Sequence, residues 1–158
     1  MTNLQNYIKK GLLKKQRPNF EQIKNQLYRA EKDLKTFNKI IETDPEWASA
    51  IAYQSMLRMG RALLFAHGYL PVDGQQHKTV VEVTGRLLGS KFNTTIKQFD
   101  RLRKNRNVFF YDSVDSGNRT EARKAIKTAK ILFQEIDLRI ITLNPQQPIK
   151  IDDLINIL

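Results

Sequence analysis

Apolar residues recur at steps of three and four along most of the chain, which is the spacing of an α-helical face. Phe20, Ile23, Leu27, Ala30, Leu34, Phe37 and Ile41 form the first such stripe. Pro18 opens this helix, which is predicted to run to about Thr43. Asp44-Pro45-Glu46 then combines a capping side chain, a first-turn proline and an early acid, a strong signal for a second helix start. That helix carries Trp47, Ile51, Met59 and Leu63 to about His67, where Gly68 supplies the stop. Tyr69 to Gln76 is predicted to be a loop.

A third helix follows His77 and ends at Gly89, although Val80, Val81 and Val83 inside it are weak helix formers. A fourth begins near Asn93-Thr94-Thr95 and turns Ile96, Phe99 and Leu102 inward; whether it stays regular through Asn107 to Tyr111 is open from the pattern. After a loop over Asp112 to Asn118, Thr120 is predicted to cap a last helix. Its inner face is Ala122, Ile126, Ala129, Phe133, Ile136 and Ile140, and Pro145 and Pro148 break it.

About five helices joined by short loops predict an all-α antiparallel bundle. It occupies residues 18–144, between a basic lead-in at 1–17 and a tail at 145–158. The tail's Ile149, Ile151, Leu154, Ile155 and Leu158 either pack on the bundle's own core or dock on a partner.

Composition narrows the chemistry. A chain of 158 residues buries one core without covalent staples. It has no cysteine, which excludes disulfides, thiolate metal sites and cysteine nucleophiles, and points to a cytoplasmic setting. No apolar run approaches the roughly 20 residues that span a bilayer, and no secretory signal is evident. There is no glycine-rich phosphate loop. Two histidines ten positions apart make a zinc site improbable, so neither a metal nor a cofactor is expected. Ser49, Ser55 and His67 share a helical hairpin, but nothing selects them as a triad; His77, before Lys78-Thr79, reads as a helix-starting residue.

The net charge of +11 lies in two places. Residues 1–17 hold Lys9, Lys10, Lys14, Lys15 and Arg17 with no acid. Residues 86–106 hold Arg86, Lys91, Lys97, Arg101, Arg103, Lys104 and Arg106 against Asp100 alone. The remaining residues balance, with 15 bases and 15 acids. Charge concentrated in this way points to a polyanion, with nucleic acid ahead of a membrane surface, since neither segment has a broad apolar face.

The densest stretch, Arg101 to Asp112, packs four cations into six residues and follows them with Asn107, Phe109, Phe110 and Tyr111. On a helix Arg103, Arg106 and Asn107 share one face. Guanidinium groups beside an amide and a phenol suit a phosphodiester; the alternative is a solvated basic face.

Several segments together resemble the HEPN domain family. Ala48 to Tyr69 is similar to its second helix, as is Gln76 to Val81 after the loop. Arg103-x-x-Arg106-Asn107-x-x-x-Tyr111-Asp112 resembles its signature, and Glu121 to Ile136 its closing helix. The resemblance covers about residues 18–140 and implies an all-α bundle that works on RNA and dimerises through the motif-bearing helix. Many such proteins are metal-independent ribonucleases whose signature is an arginine, four to six residues, then a histidine. Others pair with a minimal nucleotidyltransferase in toxin–antitoxin modules, in some of which the partner adenylylates a tyrosine near the motif.

Here the family's histidine position is Tyr111. A phenol with an ordinary pKa near 10 is a poor base at neutral pH, but can still donate a proton to a leaving oxygen. The resemblance thus implies Arg106, Asn107 and Tyr111 as catalytic candidates and Arg101, Arg103, Lys104 and Arg106 as RNA contacts. Tyr111 is also the adenylylation candidate, and Asp112 is placed to orient Arg106 or Tyr111. The expected function is a toxin-like endoribonuclease. Its alternative is a non-catalytic RNA- or nucleotide-binding module that partners a nucleotidyltransferase.

Overall fold

The structure is a computed structural model that describes residues 4–72, 74, 76–111 and 118–144, with the backbone alone for 107–111 and 118. The expectations for Asp112 and the tail at 145–158 lie outside the described residues, as do those for the side chains of Asn107, Phe109, Phe110 and Tyr111.

Four of the helices predicted from the sequence appear close to their expected bounds: α2 (Phe20–Ile40), α3 (Pro45–Ala66), α4 (Gln76–Leu88) and α5 (Asn93–Tyr111). The last, α6 (Asn118–Leu143), starts two residues before Thr120, so Thr120 lies in its first turn rather than capping it. Helix α2 starts two residues after Pro18 because Asn19 takes the capping role, accepting from the Gln22 N–H at 3.2 Å. Asp44 caps α3 as predicted, accepting from the Trp47 N–H at 3.0 Å. Gly68, at φ +80°, and Gly89, at φ +90°, terminate α3 and α4 in the left-handed region that favours glycine. Helix α5 stays regular through Tyr111.

Helix α3 is the axis of the bundle. It is buried on nearly every side, from Ala48 through Met56, Met59 and Leu63 to Phe65, as expected of a helix that is apolar all round. Helices α2 and α6 pack along it with single apolar stripes: Ile23, Leu27, Leu34 and Phe37 from one, Ala122, Ala129, Leu132 and Ile136 from the other. Helices α4 and α5 also pack on it and on each other. The three valines of α4 are buried, so tertiary packing outweighs their weak helix preference.

One feature corrects the sequence reading: the segment Tyr69 to Gln76 is not all loop, because part of it pairs with the basic lead-in. A short helix α1 (Gln5–Lys9) is followed by strand β1 (Leu13–Lys15). This strand pairs antiparallel with β2 (Tyr69–Pro71), Leu13 facing Pro71 and Lys15 facing Tyr69. A two-stranded ribbon is marginal alone. Leu4 and Leu13 anchor this one in a second apolar cluster with Leu57, Leu64, Val80 and Val83, while Lys9, Lys10, Lys14 and Lys15 stay exposed. Three-residue strands carry too few alternations to be read as a pattern.

Close approach at Gly60 sets the position of α4. A Cβ there would meet Thr84 Oγ1 and Val80 Cγ1, each at 2.7 Å. From α6, Arg139 donates to the Leu87 and Leu88 carbonyls at 3.1 Å each and closes the C-terminal end of α4. The middle and the C-terminal end of α4 are thereby fixed, and its first turn reaches Tyr53 near the middle of α3.

Candidate functional site

Where the first turn of α4 meets α3 and α5, three side chains far apart in sequence converge. Arg106 Nη1 of α5 donates to Nδ1 of His77, and the Tyr53 hydroxyl of α3 lies 2.8 Å from the same nitrogen. Arg106 hydrogen-bonds the Tyr53 hydroxyl as well. The Tyr53 ring is buried, with Phe99 at 5.9 Å and His77 at 6.0 Å between centroids.

A guanidinium has donors and no acceptor, so Nδ1 must carry a lone pair and the ring proton sits on Nε2. His77 is therefore neutral in this arrangement. Burial, followed by the charges of Arg106, Arg61 and Arg103, holds its pKa below the ordinary histidine value of 6.5. For Tyr53 burial pushes the pKa up, against Arg106, Arg103 and Arg61, which favour the phenolate.

Arg61 completes the cluster. Burial and the neighbouring Arg58 lower its pKa, opposed by Tyr53, but a guanidinium remains cationic at any physiological pH. Among the described residues no carboxylate pairs with Arg61 or Arg106. Half-buried cations without an anion are costly, and a bound anion relieves that cost.

The other motif cations are engaged with acids. Arg103 reaches Asp100 at 2.8 Å and Lys104 reaches it at 2.9 Å. Burial disfavours the Asp100 carboxylate, but hydrogen bonds from Lys104 and Arg103 outweigh it and hold the pKa below 3.8. Arg101 bridges to Glu121 of α6 at 3.2 Å. These three line a groove of about 660 Å³ between α4 and α5, floored by Val81 and Ile96. Lys78, next to His77, lies on its opposite wall, so groove and cluster adjoin.

Of the residues expected from sequence, Arg103 and Arg106 therefore join the cluster, and Arg101 and Lys104 line the adjoining groove. Asn107 and Tyr111 continue the same helix. Tyr53, Arg61 and His77 were missed. His77 does begin a helix as expected, but its ring faces the arginines. One signal for Arg61 was present: Arg58 and Arg61 are the only cations in a helix otherwise apolar enough to be buried. Ser49 and Ser55 donate to the Pro45 and Ala52 carbonyls, so neither hydroxyl is directed at His67. Among the described residues no group of histidines and acids is gathered for a metal ion, and no helix is long and apolar enough to cross a membrane.

This all-α architecture, with a cationic site where three helices meet, agrees with a comparison against known families. A family model for the HEPN domain matches residues 23–139, most of the chain, and the protein belongs to that family. The matched span includes Tyr53, Arg61, His77, Arg103 and Arg106 and leaves out the N-terminal helix and β1. A search of curated proteins found no match.

Proposed function

We propose that the protein is a metal-independent endoribonuclease of the toxin or defence type, with the Arg61–Arg103–Arg106 cluster as its phosphate site. One observation carries this reading: Arg61 and Arg106 are half-buried, lack a carboxylate partner among the described residues, and flank a histidine and a phenol. RNA cleavage by its own 2′-hydroxyl needs orientation, proton transfer and stabilisation of a charged phosphorane, and preorganised cations are well suited to the last of these. Arg101, Lys104 and Lys78 along the groove neutralise flanking phosphates. Asn107 supports the scissile phosphate from the next position of α5, and Tyr111 serves as a proton donor to the leaving oxygen.

The family's habits extend this reading to a cytoplasmic homodimer whose two α5 helices line one cleft, silenced by a minimal nucleotidyltransferase that adenylylates Tyr111. The second reading is a non-catalytic RNA- or nucleotide-binding module that partners such a nucleotidyltransferase. Tyr111 in the place of the family's histidine favours it.

The test is incubation of the protein with a mixed pool of tRNA and single-stranded RNA in chelator, beside Arg106→Ala. Cleavage lost in Arg106→Ala, with part of the RNA affinity kept, is the expected result. Intact RNA with salt-sensitive binding would overturn the enzyme reading and leave the binding module.

A further inference from the structure

We infer that His77 is the proton acceptor of this site, kept neutral by Arg106 and released for duty when a phosphodiester draws Arg106 away. The inference rests on the ribonuclease reading and assigns it a residue that lies 29 positions from Arg106 in sequence.

The groups around the ring are Tyr53 and Arg61 from α3 and Arg103 and Arg106 from α5. Three of the four are cations, and none among those described is a carboxylate that would favour the imidazolium. The lone pair on Nδ1, the atom that would accept a proton, is instead occupied by the donors of Arg106 and Tyr53. Arg106 cannot serve a phosphate and the imidazole equally well, because a charged, two-pronged acceptor binds a guanidinium more strongly than a neutral ring nitrogen does. An incoming phosphodiester therefore does two things at once. It turns Arg106 away from Nδ1, and it brings a negative charge beside a ring that previously faced cations. Both changes raise the basicity of His77.

The step is then balanced. The ribose 2′-hydroxyl transfers its proton to Nδ1, and the 2′-oxygen forms a bond to phosphorus. The bond from phosphorus to the 5′-oxygen breaks, and that oxygen takes a proton from water or from the phenol of Tyr111. The imidazolium afterwards returns its proton to solvent. The products are a 2′,3′-cyclic phosphate and a 5′-hydroxyl. Arg61 and Arg106 hold the non-bridging oxygens throughout, and the Tyr53 hydroxyl, which shares Nδ1 with Arg106 in the resting site, gives up that nitrogen to the 2′-hydroxyl in the same step.

The test has two arms. In the first, the His77 pKa is followed by NMR in wild-type protein, with His67→Gln to assign the signals, before and after saturation with oligo-deoxythymidylate, which lacks the 2′-hydroxyl and is not cleaved. We expect the pKa to rise by about one unit or more on binding, the size typical of an opposite charge brought into contact. An unchanged value at saturation would overturn the inference. In the second arm, cleavage is measured against pH for wild type, His77→Gln and His77→Asn, with folding checked by circular dichroism. The wild-type rate should rise with pH through a histidine-like limb that both variants lack, and the rate near neutrality should fall about 10²–10⁴-fold. A folded variant that keeps the wild-type pH profile would overturn the role of His77 and leave the ribonuclease reading standing. Absence of cleavage in the wild type itself would instead overturn the ribonuclease reading and the catalytic role with it.

Discussion

Arg58 and Arg61 stand one turn apart on α3, the most buried helix of the molecule, and have opposite fates. Arg58 turns toward α2, where Asp33 receives its Nε at 2.8 Å; Asp33 is itself 9% exposed and also takes Arg29 at 3.5 Å. Arg61 instead lies within electrostatic reach of Tyr53 and His77, on which Arg103 and Arg106 also bear. The α2 side of α3 is thus electrostatically closed, with a charge that serves the fold. On the α4–α5 side, Arg61 and Arg106 have no carboxylate partner among the described residues. The same residue type in the same helix is paired with a carboxylate on one side and, among the described residues, with none on the other.

That contrast can be broken from either side. The largest effect should come from Arg61→Ala, which the site reading predicts to slow RNA cleavage by about 10²–10³-fold, comparable to losing one preorganised donor to a charged transition state. Its melting temperature should stay near that of the wild type, or rise, because a repulsive neighbour of Arg58 is removed. The mirror experiment is Asp33→Ala. It leaves Arg58 without its partner in a desolvated interface, a loss of about 1.5–3 kcal/mol for a hydrogen bond to a charged group, read by denaturant unfolding. Cleavage by the folded fraction should be unaffected.

Gly60 tests the approach that brings the two helices together. Gly60→Ala places a methyl group 2.7 Å from Thr84 and Val80. It should cost about 1–3 kcal/mol of stability through overpacking, and it should also weaken cleavage by moving His77 relative to Arg106. Acidification gives a smaller, graded effect. His77 and His67 both have folded-state pKa values lowered by burial, with Arg106 and Arg139 as the leading charges. The unfolded chain therefore binds more protons below its histidine pKa near 6.5. Their contribution to stability is at its full value above that pH. It declines as the pH falls from 6.5 toward the folded values, so the melting temperature should drop over that window, less in His67→Gln. The smallest effect is expected at the exposed bridge from Arg101 to Glu121. Arg101→Ala should change stability by less than about 1 kcal/mol, yet lower the salt dependence of RNA binding by roughly one counterion.

The same division explains what was legible in the sequence. The stripes of α2 and α6 and the caps at Asp44, Gly68 and Gly89 follow local periodicity and turn chemistry, so the bundle could be read directly. The HEPN resemblance located Arg103 and Arg106 because they sit in one contiguous motif. Tyr53, Arg61 and His77 belong to two other helices, and their meeting depends on the close crossing at Gly60, which no local pattern encodes. His77 stands in the first turn of a helix, as its sequence context indicates, but its ring's direction is set by the tertiary packing of α4. The N-terminal ribbon was missed because three-residue strands and a five-residue helix are too short for periodicity to register; among the described residues only Leu4, Leu13 and Pro71 anchor it by full burial.

The most direct test is a single-turnover RNA cleavage assay in chelator with wild type, Arg61→Ala and Arg106→Ala at matched folding. Cleavage by the wild type that falls about 10²-fold or more in both variants would establish an anion site spanning α3 and α5. Undiminished cleavage in Arg61→Ala would contradict it, and would confine the chemistry to the α5 motif alone.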